Sequence, residues 1–150
     1  MSLSQKGKSA SKNFVKNFVL RIAKEEWFKQ VFALKKYYPG ILRRWEKGSL
    51  IFLAKRSDKG DSFVGYGVME EFVKRNELPD EEKRECKNRG WKGAIIFSEL
   101  YKFDPPLLIK ETILGNLGIR GKYWHGYKLT KEQTEAILEA AEELCNIRKV

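Results

Sequence analysis

The sequence predicts an α+β fold: a small mixed barrel or strongly bent sheet of about five or six strands, with helices closing its ends. Three observations carry this expectation. Apolar runs of strand length recur with turn residues between them, few connections carry tight-hairpin signals, and segments of helical period stand before, between and after the strands. The 150-residue length suits one domain with a buried core. A chain that is 42% hydrophobic and 13% aromatic is not a disordered one.

The elements follow in order. Residues 14–22, FVKNFVLRI, are β-branched and aromatic, with Phe18, Leu20 and Ile22 on one face. Residues 24–37 change period: Trp27, Val31, Leu34 and Tyr38 fall on one helical stripe with Phe28 and Phe32 beside it. Glu25 and Glu26 suit the start of that helix, and YPG at 38–40 ends it. ILRRWEKG is a basic loop or short helical turn. Residues 49–55, SLIFLAK, are apolar on both faces, as a strand covered on both sides requires. After the polar turn RSDKGDS, residues 63–73 form the next strand. Gly65 and Gly67 point to the same face there and allow a sharp bend or a close neighbour. LPDEEKRECKNRG reads as a short exposed helix or irregular insert, with Asp80 as N-cap and Gly90 at its end. Residues 92–103 make a further strand, with Ile96 and Leu100 on one face and Ile95, Phe97 and Tyr101 on the other, ended by DPP. LLIKETILGNLG suits a short helix, and RGKYWHGYKLT reads as the last strand. Thr130 and Gln133 form a capping box that opens a helix over 131–145, with Thr134, Ile137, Leu138, Ala141, Leu144 and Cys145 along its apolar line.

Charge is strong and uneven. The chain carries +10 in all: +4 in residues 1–16, −2 in the last twenty and +8 between them. A basic body beside an acidic terminal helix implies one positive face, which attracts nucleic acid first and anionic membrane second. Residues 1–12 read as a disordered basic tail ahead of a domain at 13–150. They lack the apolar core of a secretory leader, and no apolar run approaches the roughly 18 residues of a membrane span. Cys86 and Cys145 are isolated and, with a single histidine, make a poor zinc set. Reduced thiols, a cytoplasmic location and no metal or cofactor are expected.

Catalytic motifs are sparse. Gly65-Tyr66-Gly67 lacks both the third glycine of a dinucleotide fingerprint and the Lys-Ser/Thr of a P-loop, and no serine or cysteine stands in a nucleophile motif. The acidic string Asp58, Asp61, Glu70, Glu71 does not match a calcium loop. His125 therefore has two readings. In a strand it would share a face with Tyr123 and Tyr127, filling the interior, or that face would open as a ring-floored pocket able to stack on a nucleobase. Trp45, set among Arg43, Arg44 and Lys47, is a candidate for ligand contact. Trp91 is a weaker one, and Trp27, on its helical stripe, is a core residue.

NFVLRIAKEEWFKQV, WEKGSLIFLAK, FVGYGVMEEF and GKYWHGYKLTKEQTEAILEA, in this order over residues 14–145, resemble the successive segments of EVE-type domains. The chain thus resembles an archaeal branch of the PUA-like superfamily, whose members include EVE, YTH and ASCH domains. The resemblance implies a PUA-like pseudobarrel that binds RNA or DNA, with some relatives housing a modified base in an aromatic pocket. Trp27, Lys47, Gly48 and Gly65 match its pattern as structural or pocket-lining positions, with Gly67 beside them. Trp45 and Tyr123, Trp124 and His125 fit the pocket by residue type. The insert at 76–92 departs from short family versions and would cover or extend the site.

The expected function is non-catalytic nucleic-acid binding, of RNA or DNA. Arg43, Arg44, Lys47, Arg120 and Lys122 would track the backbone. Trp45, Tyr123, Trp124 and His125 would meet a flipped or modified base around one concave patch. A hydrolase using His125 with nearby carboxylates and a protein-interaction adaptor are the alternatives. Neither a membrane nor an obligate protein partner is expected.

Overall fold

A computed structural model describes residues 16–150. The expected tail at 1–12 and the first positions of the predicted opening strand lie outside the described residues. The elements are β1 (Asn17–Ile22), α1 (Glu25–Leu34), β2 (Lys36–Tyr37), β3 (Leu50–Ser57), β4 (Gly60–Lys74), α2 (Asp80–Arg89), β5 (Gly93–Leu108), β6 (Lys128–Leu129), α3 (Lys131–Leu144) and β7 (Asn146–Lys149). Seven strands form one mixed sheet in the order β2-β5-β4-β3-β1-β6, with β7 also paired to β5. Among the described residues only β1 and β3 run parallel. Among the described residues the sheet does not close on itself, and the predicted α+β class is the class observed.

Strand alternation divides the interior in two. Phe18, Leu20 and Ile22 of β1 join Ile51 and Leu53 of β3 under α1, which contributes Val31 with Trp27, Phe28 and Phe32. The intervening Val19, Phe52 and Ala54 face the other way and pack with Ile137 and Ala141 of α3. Each such fully buried large side chain contributes about 1.5–3 kcal/mol. Buried Asn17 ties the layers together. Its Nδ2 donates to Thr134 Oγ1 (3.2 Å), and its Oδ1 accepts from the Leu50 amide (2.8 Å). The Thr130–Gln133 capping box is present in both directions.

Several elements differ from expectation for identifiable reasons. Helix α1 stops at Leu34, because Lys35 takes a left-handed conformation (φ 56°) and caps it through its amide to Val31 O. Lys36–Tyr37 then pairs with β5 instead of continuing the helix, and Leu34 is left exposed. In α2, Pro79 occupies the N-cap and Asp80 is the first helical residue, while Gly90 (φ 75°) ends the helix as expected. Register shifts between β4 and β5 at Met69 break simple alternation, so Leu100 joins Ile95 and Phe97 in one core and Ile96 is half-buried. Tyr101 turns instead to stack on Tyr66 at 5.0 Å. Strand β5 runs through Asp104-Pro105-Pro106 to Leu108, its Tyr101–Asp104 section pairing with β7, a strand not foreseen. The stretch after it forms two 3-10 turns, Ile109–Glu111 and Ile113–Asn116.

The largest correction concerns residues 120–130. Gly121 (φ 55°) and Gly126 (φ 84°) adopt backbone angles that a strand cannot accommodate. Gly121–Trp124 is therefore a 3-10 turn, and only Lys128–Leu129 is strand. The expected alternation of Tyr123, His125 and Tyr127 on one face is absent: Tyr123 is 71% exposed, whereas Trp124, the next residue of the same turn, is 2% exposed. Gly65 and Gly67 do mark close approaches. A Cβ on Gly65 would lie 2.1 Å from the Tyr101 carbonyl oxygen, and one on Gly67 would lie 2.4 Å from the Phe97 ring.

Candidate nucleic-acid interface

A ring-walled cleft of about 340 Å³ opens beside α1 and the turn at 121–125. Trp27, Tyr37, Tyr38, Trp91 and His125 line it, with Gln30 and the cations Arg21, Lys36, Arg89 and Lys122. Its volume falls at the small end of ligand pockets, which run from about 300 Å³. Tyr38 stacks on Trp91 at 5.0 Å, and Trp27 meets Trp91 edge-on at 5.7 Å. The two indoles come from α1 and from the loop after α2, and α2 reinforces the wall. Glu82 accepts a 2.5 Å hydrogen bond from the Tyr38 hydroxyl and a 3.2 Å ion pair from Lys36 Nζ. Burial first, and then Glu82, push the Tyr38 hydroxyl pKa well above its ordinary value. It therefore stays a protonated donor.

His125 is placed by the edge of the sheet. Val19 exchanges backbone bonds with Tyr127 and Gly126, continuing the β1–β6 pairing, and then the chain swings away at Gly126. The next donor along β1, the Arg21 amide, has no carbonyl opposite it. His125 Nδ1 accepts that hydrogen bond at 2.9 Å. An accepting Nδ1 puts the proton of the neutral ring on Nε2. Burial, then Arg43 and Arg21, hold the His125 pKa below its usual value and keep the ring neutral. Among the described residues lining the cleft none is Asp or Glu. No group of three or more His, Cys, Asp or Glu among the described residues is arranged to hold a metal.

The predicted residues fall into separate places. His125 and Lys122 line the cleft, and Trp27, read as core from its helical stripe and as structural or pocket-lining from the resemblance, forms part of its wall. Arg43 stands next to His125, its Nε donating to Gly126 O at 3.4 Å. Arg120 and Trp124 line a second, polar groove of about 660 Å³. Arg44 is exposed on the 38–49 loop. Lys47 pairs with Glu70 at 3.3 Å beside the turn where Gly48 (φ 90°) bonds Met69 O. Trp45 packs against Phe18 (5.2 Å) and Phe72 (6.3 Å), with its Nε1 buried and without a hydrogen-bond partner among the described residues.

Trp45 and Trp124 do not converge. Trp45 belongs with the core of Phe18 and Leu20, and Trp124 with that of Val19 and Phe52, so they lie on opposite faces of the sheet. The ring cluster that does form uses Tyr37, Tyr38 and Trp91. Their sequence signals were a Tyr-Tyr pair before Pro39-Gly40 and a tryptophan between Arg89-Gly90 and Lys92-Gly93.

No family model and no curated protein matches the chain. Among solved structures, the ASCH protein of Zymomonas mobilis is similar, with a TM-score of 0.57 at 13% identity over 85% of this chain and 94% of that one. Two single-residue variants of it, a Tyr-to-Phe and a Ser-to-Ala substitution, give TM-scores of 0.55 and 0.58 at 14% identity. Each match covers 85% of this chain, and 97% and 95% of theirs respectively. These structural neighbours are ASCH domains, which belong to the PUA-like superfamily. No helix among the described residues is long and apolar enough to cross a membrane.

Proposed function

We propose that this chain is a non-catalytic nucleic-acid-binding domain, with single-stranded RNA its first-choice ligand, and that the cleft takes one unpaired base. The observation carrying this reading is the cleft itself. Tyr38, Trp91, Trp27 and His125 offer ring faces and edges, and Arg21, Lys36, Arg89 and Lys122 supply positive charge around them. Base–aromatic stacking contributes about 1–3 kcal/mol per base, and Gln30 and His125 Nε2–H are polar groups suited to a base edge. The PUA-like fold, associated with RNA binding, supports RNA over other polyanions. The EVE-like motifs make a modified base the ligand of greatest interest.

The test is a binding panel of single- and double-stranded RNA and DNA, with and without methylated bases, across a salt series. Single-stranded RNA is expected to bind best, with log affinity falling by about 0.7 per neutralised phosphate for each decade of salt. Absence of binding at low salt, or a flat salt response, removes the reading. Turnover of labelled RNA that is lost in His125→Ala overturns its non-catalytic part.

A further inference from the structure

The groove on the far side of the 121–125 turn is a site in its own right. Arg21, Arg56, Lys59, Lys110 and Arg120 line it, against Asp58 and Asp61 only. Arg56, Lys59, Lys110 and Arg120 have no carboxylate within ion-pair distance among the described residues. Among the described residues, Arg21 alone of the groove's cations is paired, to Asp61 at 3.3 Å, and its Nε is buried without a partner among them. Four unneutralised cations drawn from the β3–β4 hairpin, the turn after β5 and the segment before Gly121 are held together at the expense of mutual repulsion. An entering polyanion would relieve that repulsion.

Two features connect this groove to the ring-walled cleft. Arg21 lines both hollows. The short segment from Arg120 to His125 is the partition between them, with Arg120, Gly121 and Trp124 on the groove side and Lys122 and His125 on the cleft side. A ligand that spans the partition therefore needs a flat aromatic group for one hollow and several negative charges for the other. A nucleotide strand has both, in fixed succession, and guanidinium forks match phosphate oxygens bidentately.

We infer that the groove is a phosphate-binding track for the same strand whose base occupies the cleft, with Arg56, Lys59, Lys110 and Arg120 as its contacts and Arg21 as the hinge between the two hollows. This rests on the nucleic-acid reading above and adds the backbone path to it. The path keeps Arg120 from the backbone contacts suggested by sequence and runs apart from Arg43, Arg44 and Lys47, while Lys122 lines the cleft.

The experiment compares the full chain with the Arg56→Ala/Lys59→Ala/Lys110→Ala variant and with a control variant, Lys131→Ala/Arg148→Ala/Lys149→Ala, whose positions line neither hollow. Each binds a short single-stranded RNA from low salt to 0.5 M, with circular dichroism confirming the fold. Removing three phosphate contacts lowers the salt slope by about 2, and affinity at 0.1 M salt by about 100-fold. The control keeps the wild-type slope. If the wild type binds RNA and the groove variant keeps its slope, or if the control loses as much, the track is wrong while base capture in the cleft stands. If the wild type binds no RNA, the nucleic-acid reading fails and the track falls with it.

Discussion

The backbone amide of Arg21 donates to Nδ1 of His125 at 2.9 Å, so an imidazole takes the place of the carbonyl that would continue the β1–β6 ladder. The bond fixes the ring against the sheet edge, sets its tautomer and leaves Nε2–H for the cleft. It also makes the ring's protonation state part of the fold.

From this bond follows a pH dependence. The folded-state pKa of His125 is lowered, chiefly by burial and then by the Arg43 and Arg21 charges, so the unfolded chain binds the proton more readily. The stability tied to the neutral ring is fully present above the ordinary value of about 6.5 and is lost as pH falls through the lowered folded value. Protonation of Nδ1 also removes the acceptor for Arg21. We expect thermal stability and RNA affinity to weaken together in that acid range in wild type. His125→Asn, whose Oδ1 can accept the same bond without titrating, should lose this pH-dependent component. His125→Ala should destabilise the fold by about 1–3 kcal/mol at neutral pH by orphaning the amide. Urea titrations at several pH values read all three.

Trp124 and Trp91, both candidates for ligand contact from the sequence, have different fates under mutation. Trp124, 2% exposed in the α3-side core, should behave as packing. Trp124→Ala is expected to destabilise by about 3–5 kcal/mol. Trp91 packs a smaller satellite cluster with Leu78, Cys86 and Ala94 while presenting its ring to Tyr38 and the cleft. Trp91→Leu, which keeps much of the packing, is expected to weaken RNA binding by about 1–3 kcal/mol if the ring stacks on a base. Equal RNA affinity in a folded Trp91→Leu protein takes the indole out of the site.

Legibility in the sequence depended on how local the deciding interaction was. Strand β3 and the Thr130–Gln133 capping box are set by adjacent residues, and both are where the pattern puts them. The end of α1 rests on Lys35 in a left-handed conformation, a position glycine usually marks, so nothing in residues 24–37 announced it. The segment at 120–130 misled because its aromatic content outweighed Gly121 and Gly126, whose positive φ angles decide its course. The site shows the same limit. His125 and Lys122 were nominated by local chemistry. Tyr37, Tyr38 and Trp91 come together only because a two-residue strand docks on β5 and α2 folds back over it, contacts that no spacing rule encodes.

Gly65 offers a test of the long bent strands. Its missing side chain leaves room for the Tyr101 carbonyl oxygen, which a Cβ would approach to 2.1 Å. That atom belongs to the backbone of β5, which is itself held by β7 through Tyr101–Lys149, so it cannot rotate aside as a side chain would. Gly65→Ala should therefore destabilise by about 3 kcal/mol, at the upper end for overpacking. A urea midpoint unchanged from wild type would show that the strands part more easily than their pairing implies.

Glu82 controls the charge that the insert helix brings to the cleft. Its carboxylate accepts from Tyr38 and pairs with Lys36 at 3.2 Å, both partners lining the cleft, so it steadies a ring wall while neutralising one of the cations a phosphate would meet. Glu82→Gln keeps an oxygen for the Tyr38 hydroxyl and removes the negative charge. With both Lys36 and Glu82 partly exposed, the pair contributes no more than about 1 kcal/mol to stability, so the fold should be little affected. The freed Lys36 cation then raises RNA affinity by about threefold at low salt, and the gain fades as the Debye length shortens toward about 3 Å at 1 M. Glu82→Ala removes the wall contact as well and is expected to forfeit that gain. Affinities of the two variants measured side by side across a salt series separate the electrostatic role of α2 from its structural one. A Glu82→Gln protein that binds RNA no better than wild type at low salt would mean the strand does not pass Lys36.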